Sequence, residues 1–240
     1  MLAQRAHRFS GSVDPGTVEA DASIRAVISC LERSLRRLVG KVGERGRGEN
    51  EPQLNQHLYT SLQIESTQEP FFFHKEWEEG QTGELSRRSD VAVQAHEGLQ
   101  VQGMLLEAGT RFVCIEAKRL PTPGTGRARE YVEGGGGAIE RFKRGIHGAD
   151  LRQFVVVAYV QEEDHAIWLQ RINGWIDDRI ADSLPLLPWD GGDRLVADPG
   201  AHPPVARHRS TSLRCTDGER LSLRHLWVDL VGSGNNAGRN

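Results

Sequence analysis

The stretch "RFVCIEAKRL", residues 111 to 120, decides how this chain folds. Phe112 to Ile115 form an apolar run rich in aromatic and β-branched residues, which reads as a buried strand. Residues two apart on a strand project to one face, so Glu116 and Lys118 lie side by side while Ala117 points away. Such a pair on an open surface contributes under about 1 kcal/mol. The neighbouring segments give it a different setting.

Upstream, "PFFFHKEWEE" (70 to 79) and "SDVAVQA" (89 to 95) have strand composition and are separated by polar, glycine-containing turns. Three strands joined as hairpins or a meander are expected. Asp90 stands immediately before the alternation of Val91 and Val93, so a hairpin sets its carboxylate beside Glu116. Downstream, "REYVEGGGGAIERFKRG" reads as a helix interrupted by four glycines, with Ile139, Phe142 and Ile146 as its buried stripe. "QFVVVAYVQ" (153 to 161) is almost continuously apolar and follows that helix, the pattern of a crossover into a parallel strand. "DHAIWLQRINGWIDDRIAD" has the pattern of an amphipathic helix.

At the N-terminal side, residues 1 to 16 are polar and contain Gly11, Pro15 and Gly16, so they read as a flexible arm. From Thr17 to Val39, Ile24, Val27, Ile28, Leu31, Leu35 and Leu38 recur at helical steps. "GKVGERGRGEN" is expected to loop. A second helix starts at Asn50, a suitable N-cap, with Glu51 at its entrance, Pro52 in the first turn and Leu54, Leu58 and Leu62 along one face. Beyond it, the segment from Leu184 to Ser212 is dense in Pro, Gly and Asp and reads as a long excursion. "SLRCTDGERLSLRHLWVDLV" predicts a hairpin over Asp217-Gly218, ahead of a frayed tail. The organisation expected is an arm (1 to 16), a domain (17 to 183) and an extension packed on it (184 to 240). The element order is α, α, β, β, β, α, β, α.

Bulk properties bound the function loosely. A chain of 240 residues can bury one substantial core, and its 27 glycines point to long loops. A net charge of −3 excludes a uniformly cationic surface, so a nucleic acid would need a local patch. Between Arg119 and Arg152, seven Lys or Arg face four Asp or Glu, which is such a local bias. Cys30, Cys114 and Cys215 form no CxxC, which argues against a disulfide framework or a cysteine zinc site. With no apolar leader and no long apolar run, a soluble, cytoplasmic protein is expected.

Two converging carboxylates repel unless a cation holds them, and a hard oxygen set suits Mg²⁺ or Mn²⁺. A lysine beside such an ion completes the equipment for phosphodiester hydrolysis. The arrangement resembles the PD-(D/E)xK, or restriction-endonuclease-like, nuclease superfamily. That family has an α/β fold with an α-β-β-β-α-β core, an Asp on its second strand and (D/E)xK on its third. "SD" at 89 to 90 and "EAK" at 116 to 118 correspond, with Ser89 where the family name has proline. The resemblance covers Glu51 to Gln161. It implies a mixed sheet flanked by helices and a divalent ion held by Asp90, Glu116 and the Ala117 carbonyl, with Lys118 positioning water. It also implies Glu51 as a further acidic residue from the preceding helix, whose other reading is an acid answering the helix dipole.

On the same reading, Arg141, Lys143 and Arg144 meet phosphates of a nucleic acid, DNA foremost, and the glycines let backbone approach it. A homodimer or a partner ATPase or helicase subunit would be further partners, and prokaryotic antiphage defence or mobile-element control the setting. The alternative is a catalytically inactive member of the fold that binds nucleic acid or protein within a larger complex.

Other signals carry less. No Lys-Ser or Lys-Thr follows the glycine run, so it is not a P-loop. His202, His208, Cys215 and His225 match no zinc spacing. There is no G-x-S-x-G elbow, and Cys114 reads as a small buried hydrophobe. Trp168, Trp175, Trp189 and Trp227 read as packing residues.

Overall fold

The computed structural model describes residues 22–43, 48–78, 88–124, 126–200 and 202–231. The expected arm, the first residues of the expected leading helix (17–21) and the tail (232–240) lie outside them.

Helix α1 (Ala22–Val42) buries the predicted stripe of Ile24, Val27, Ile28, Leu31, Leu35 and Leu38. It continues through Gly40, where a loop was expected, because Val42 is also drawn into the core. A single glycine costs about 1 kcal/mol in a helix, which burial of a valine outweighs. Helix α2 (Glu51–Glu65) opens with a capping box: the Gln53 N–H donates to Asn50 Oδ1 at 3.0 Å, and Gln53 Oε1 accepts from the Asn50 N–H at 2.9 Å. Leu54, Leu58 and Leu62 face inward as their spacing predicts.

The three predicted strands are β1 (Phe71–Glu78), β2 (Arg88–Ala95) and, after a small hairpin of β3 (Gln100–Val101) and β4 (Met104–Leu105), β5 (Arg111–Leu120). They run antiparallel as a meander. The short helix α3 (Ala138–Lys143) crosses to β6 (Gln153–Val160), which pairs parallel to β5 as the apolar run demands. Helix α3 is shorter than expected: residues 128–136 form turns, and the successive glycines from Gly134 to Gly137 separate them from the helix. Helix α4 (His165–Asp182) follows, capped by Asp164, which accepts the Ile167 N–H at 2.8 Å.

The C-terminal third differs most from expectation. The segment read as an excursion contains a 3-10 turn (Gly191–Asp193), β7 (Val196–Ala197) and most of β8 (Val205–Leu213). Strand β9 (Arg220–Asp229) then pairs parallel to the whole of β6, from Ser222 to Asp229, and antiparallel to β8. One seven-stranded sheet results, in the order β1-β2-β5-β6-β9-β8-β7. The extension is therefore part of the central sheet. The alternation of Arg207, Arg209 and Thr211 with His208 and Ser210 hid β8, because its buried face is polar rather than aliphatic.

The sheet is covered on both faces. Val113, Ile115, Ala117, Val155, Val157, Leu226 and Val228 pack under α1 and α2. Cys114, Leu120, Val156, Ala158, Val160 and Trp227 pack against α3 and α4. Trp168, Trp189 and Trp227 are buried in that second layer and Trp175 is partly buried against it, which is the packing role expected of them.

Candidate functional site

Period-two alternation sends Glu116 and Lys118 to the side opposite Ile115 and Ala117, toward α3. The antiparallel register of Val91 with Ile115 and Ala92 with Cys114, carried one step on, puts Asp90 across from Glu116. Asp90 Oδ2 accepts the Ala117 N–H at 2.8 Å, which ties the end of β2 to the middle of the motif. Lys118 lies between two acids, its Nζ 3.8 Å from Glu116 Oε2 and 3.7 Å from Glu51 Oε1. Asp90, Glu116, Lys118 and Glu51 thus share one neighbourhood, although they come from two strands and a helix entrance.

Glu116 is the centre of the cluster and is 1% exposed. Arg141 Nη1 stands 3.7 Å from its Oε2, and His147 Nε2 stands 3.6 Å from its Oε1. Those separations exceed hydrogen-bonding range, and Glu116 Oε1 is buried with no hydrogen-bond partner. Burial, then repulsion from Asp90, pushes the Glu116 carboxyl up to about 8. Burial also raises Asp90, against the pull of Lys118, the Ala117 N–H and Arg141. Glu51 is raised by burial and by Asp90, with Lys118 opposing. Burial works against the Lys118 charge, yet Glu116, Glu51 and Asp90 outweigh it and hold the ammonium above its ordinary value.

Of the three basic residues proposed to meet phosphates, only Arg141 reaches this cluster. Its Nε donates to Gly135 O at 2.9 Å, so the glycine segment positions it. A Cβ on Gly137 would stand 2.4 Å from the Glu133 carbonyl carbon, which explains why that place needs glycine. Lys143 is corrected: it is fully buried, donates to both Asp193 oxygens at 2.8 and 2.9 Å, and lies over the Trp189 ring. A lysine so enclosed cannot reach a phosphate. Arg144 is exposed and paired with Glu140 at 2.6 Å.

Two groups escaped the sequence reading. His147, 2% exposed, lies in a tight turn between Gly145 and Gly148, both at positive φ. That flanking pair was its only signal. Glu76 is the other: the pairs Lys75 with Val91 and Trp77 with Ser89 bracket it across from Asp90, and it takes a φ of 52°. It adds to the repulsion felt by Asp90.

The histidines set aside as zinc ligands have other environments. His225 is buried, with Nδ1 2.7 Å from Tyr131 Oη and Nε2 3.0 Å from Ser210 Oγ. His208 lies against the Trp227 ring, with ring centroids 4.3 Å apart. Cys114 is buried in β5.

Two features at Glu116 fit a hard divalent cation, a buried carboxylate oxygen without a partner and a second carboxylate across the ladder, while Lys118, Arg141 and His147 surround them with basic nitrogen. Among the described residues, no three His, Cys, Asp or Glu side chains form a ready metal cage. A cation here would rest on the Asp90–Glu116 pair with backbone oxygen and water, while Glu51 faces the Lys118 ammonium.

Fold and site together define a mixed α/β protein with a central sheet flanked by helices and an acidic, lysine-containing cluster on its third long strand. Comparison of the chain with protein-family models, curated proteins and solved structures returned no match. Among the described residues, no helix is long and apolar enough to cross a membrane.

Proposed function

We propose that the chain is a metal-dependent nuclease with a restriction-endonuclease-like core, hydrolysing phosphodiester bonds in nucleic acid, DNA foremost. The observation that carries this reading is the buried Glu116 carboxylate, with one oxygen unpartnered and Asp90 and Lys118 beside it. The order α2-β1-β2-β5-α3-β6, antiparallel to β5 and parallel at β6, supports it as the arrangement that PD-(D/E)xK proteins share.

Asp90, Glu116 and the Ala117 carbonyl would hold Mg²⁺ or Mn²⁺. Bound there, the ion supplies Lewis acidity toward a phosphoryl oxygen and lowers the pKa of a water. Lys118 keeps a fixed positive charge next to that position, where it can orient a water and offset developing negative charge. Glu51 holds Lys118 from the α2 entrance. Arg141, tethered by Gly135, offers a guanidinium to a phosphate oxygen once substrate enters. A role in prokaryotic antiphage defence or mobile-element control rests on fold analogy alone.

Purified protein should cut DNA when Mg²⁺ or Mn²⁺ is added. Asp90→Ala and Lys118→Ala should each abolish cutting while the melting transition is retained. Undiminished cutting by both variants would sink the proposal. The second reading is a non-catalytic nucleic-acid or protein-binding member of the fold. Metal titration separates them: binding lost in Glu116→Gln supports the enzyme, and metal-independent nucleic-acid retention without cutting supports the binder.

A further inference from the structure

Strands β8 and β9 present a second face that the catalytic reading does not use. Leu226 packs with Ile115 and Ala117 under α1 and α2, so Arg224, two residues earlier on β9, shares that side of the sheet. Glu116 projects to the other side. On this face Arg209 pairs directly with Arg224 across the β8–β9 ladder, and Arg207 and Arg220 lie two and four residues along their strands from that pair. Like charges directly opposite in a ladder repel, and nothing in the packing of a sheet requires that choice.

The acids nearby neutralise only part of the row. Arg207 is paired with Glu32 of α1. Asp198, after β7, stands 3.6 Å from Arg224, whose guanidinium is held below its ordinary value by burial and by Arg209 and Arg207. Arg209 and Arg220 are both exposed, and neither side chain makes a hydrogen bond or ion pair among the described residues. Two open guanidinium forks on one face of the β8–β9 ladder, with Arg224 opposite one of them and four residues along its strand from the other, match the spacing-tolerant, repeating negative charge of a phosphodiester backbone.

We propose that the β8–β9 face, through Arg209, Arg220 and Arg224, binds the backbone of a nucleic acid independently of base sequence, on the side of the sheet away from Glu116. It rests on the nuclease reading only in the choice of nucleic acid among polyanions. This surface acts as a tether, holding the polymer while the acidic cluster remains free for chemistry.

Binding of a labelled single strand and of its duplex is measured by anisotropy in EDTA over a salt series, for the full chain and for Arg209→Glu, Arg220→Glu and the double variant. Arg209→Glu places an acid opposite Arg224 and should raise thermal stability, so lost binding there cannot be attributed to unfolding. The double variant should bind at least about tenfold more weakly, and its salt dependence should fall by about one counterion per arginine removed. Unchanged affinity and slope would overturn the proposal. So would no binding by the unaltered chain at low salt, or equal binding of polyglutamate, which would mark the surface as one for acidic protein. Because EDTA removes the metal, these outcomes are independent of whether Lys118→Ala loses cutting.

Discussion

At the residue scale, the controlling fact is an acid buried among other acids. The Glu116 carboxyl keeps its proton to about pH 8 in the folded chain, whereas an unfolded glutamate loses it near about 4.3. Its folded pKa is raised, so this group's contribution to stability is full below the unfolded value and is lost as pH rises toward 8. Metal-free protein should lose up to about 1.4 kcal/mol of stability per pH unit in that window. Glu116→Gln, which mimics the protonated acid, should flatten the profile. Urea melts in EDTA at several pH values check this, and an unchanged slope in the variant would refute it. His147 should act on the same carboxylate without touching substrate. His147→Ala is expected to weaken Mn²⁺ binding about tenfold or more, as loss of a group supporting a metal ligand does. Titration calorimetry reads that directly, and wild-type affinity would remove His147 from the site.

At the element scale, α3 shows how a glycine run becomes functional. Gly134 to Gly137 let the chain fold back so that Glu140 Oε2 accepts the Gly134 N–H at 3.1 Å and Arg141 points to Glu116. Gly137→Ala drives a methyl group into the Glu133 backbone. It should cost about 1–3 kcal/mol, the range for overpacking, and displace Arg141. Thermal melts measure the first effect, and weaker nucleic-acid binding without loss of metal affinity measures the second. Element types were largely legible in the sequence. Asn50, Pro52 and the leucine spacing marked α2, and unbroken aliphatic runs marked β5 and β6. Strand β8 was not legible, because its inward residues, His208, Ser210 and Ser212, meet Trp227, His225 and Asp193, contacts that only the assembled sheet supplies.

At the scale of the whole molecule, β9 closes the core. It lies between β6 and β8, its Leu226 and Val228 in one layer and its Trp227 in the other. A chain ending at Ser183 would expose the edge of β6 and the aliphatic side chains beside it. It should show no cooperative thermal transition, and circular dichroism melts provide the check. A sharp transition would mean that the first part folds by itself.

The sequence by itself determined what is local or periodic: the capped second helix, the buried strands and the side-by-side projection of Glu116 and Lys118. These follow from backbone geometry that any chain with those residues must obey. Tertiary structure alone decided what depends on register and on distant segments meeting. It set Asp90 across from Glu116, turned Lys143 inward to Asp193, brought Arg141 and His147 to the buried carboxylate, and made the C-terminal strands part of one sheet. A charge near a strand end reads the same in either case. Only the company it keeps after folding separates a solvated ion pair from a carboxylate with an unpartnered oxygen.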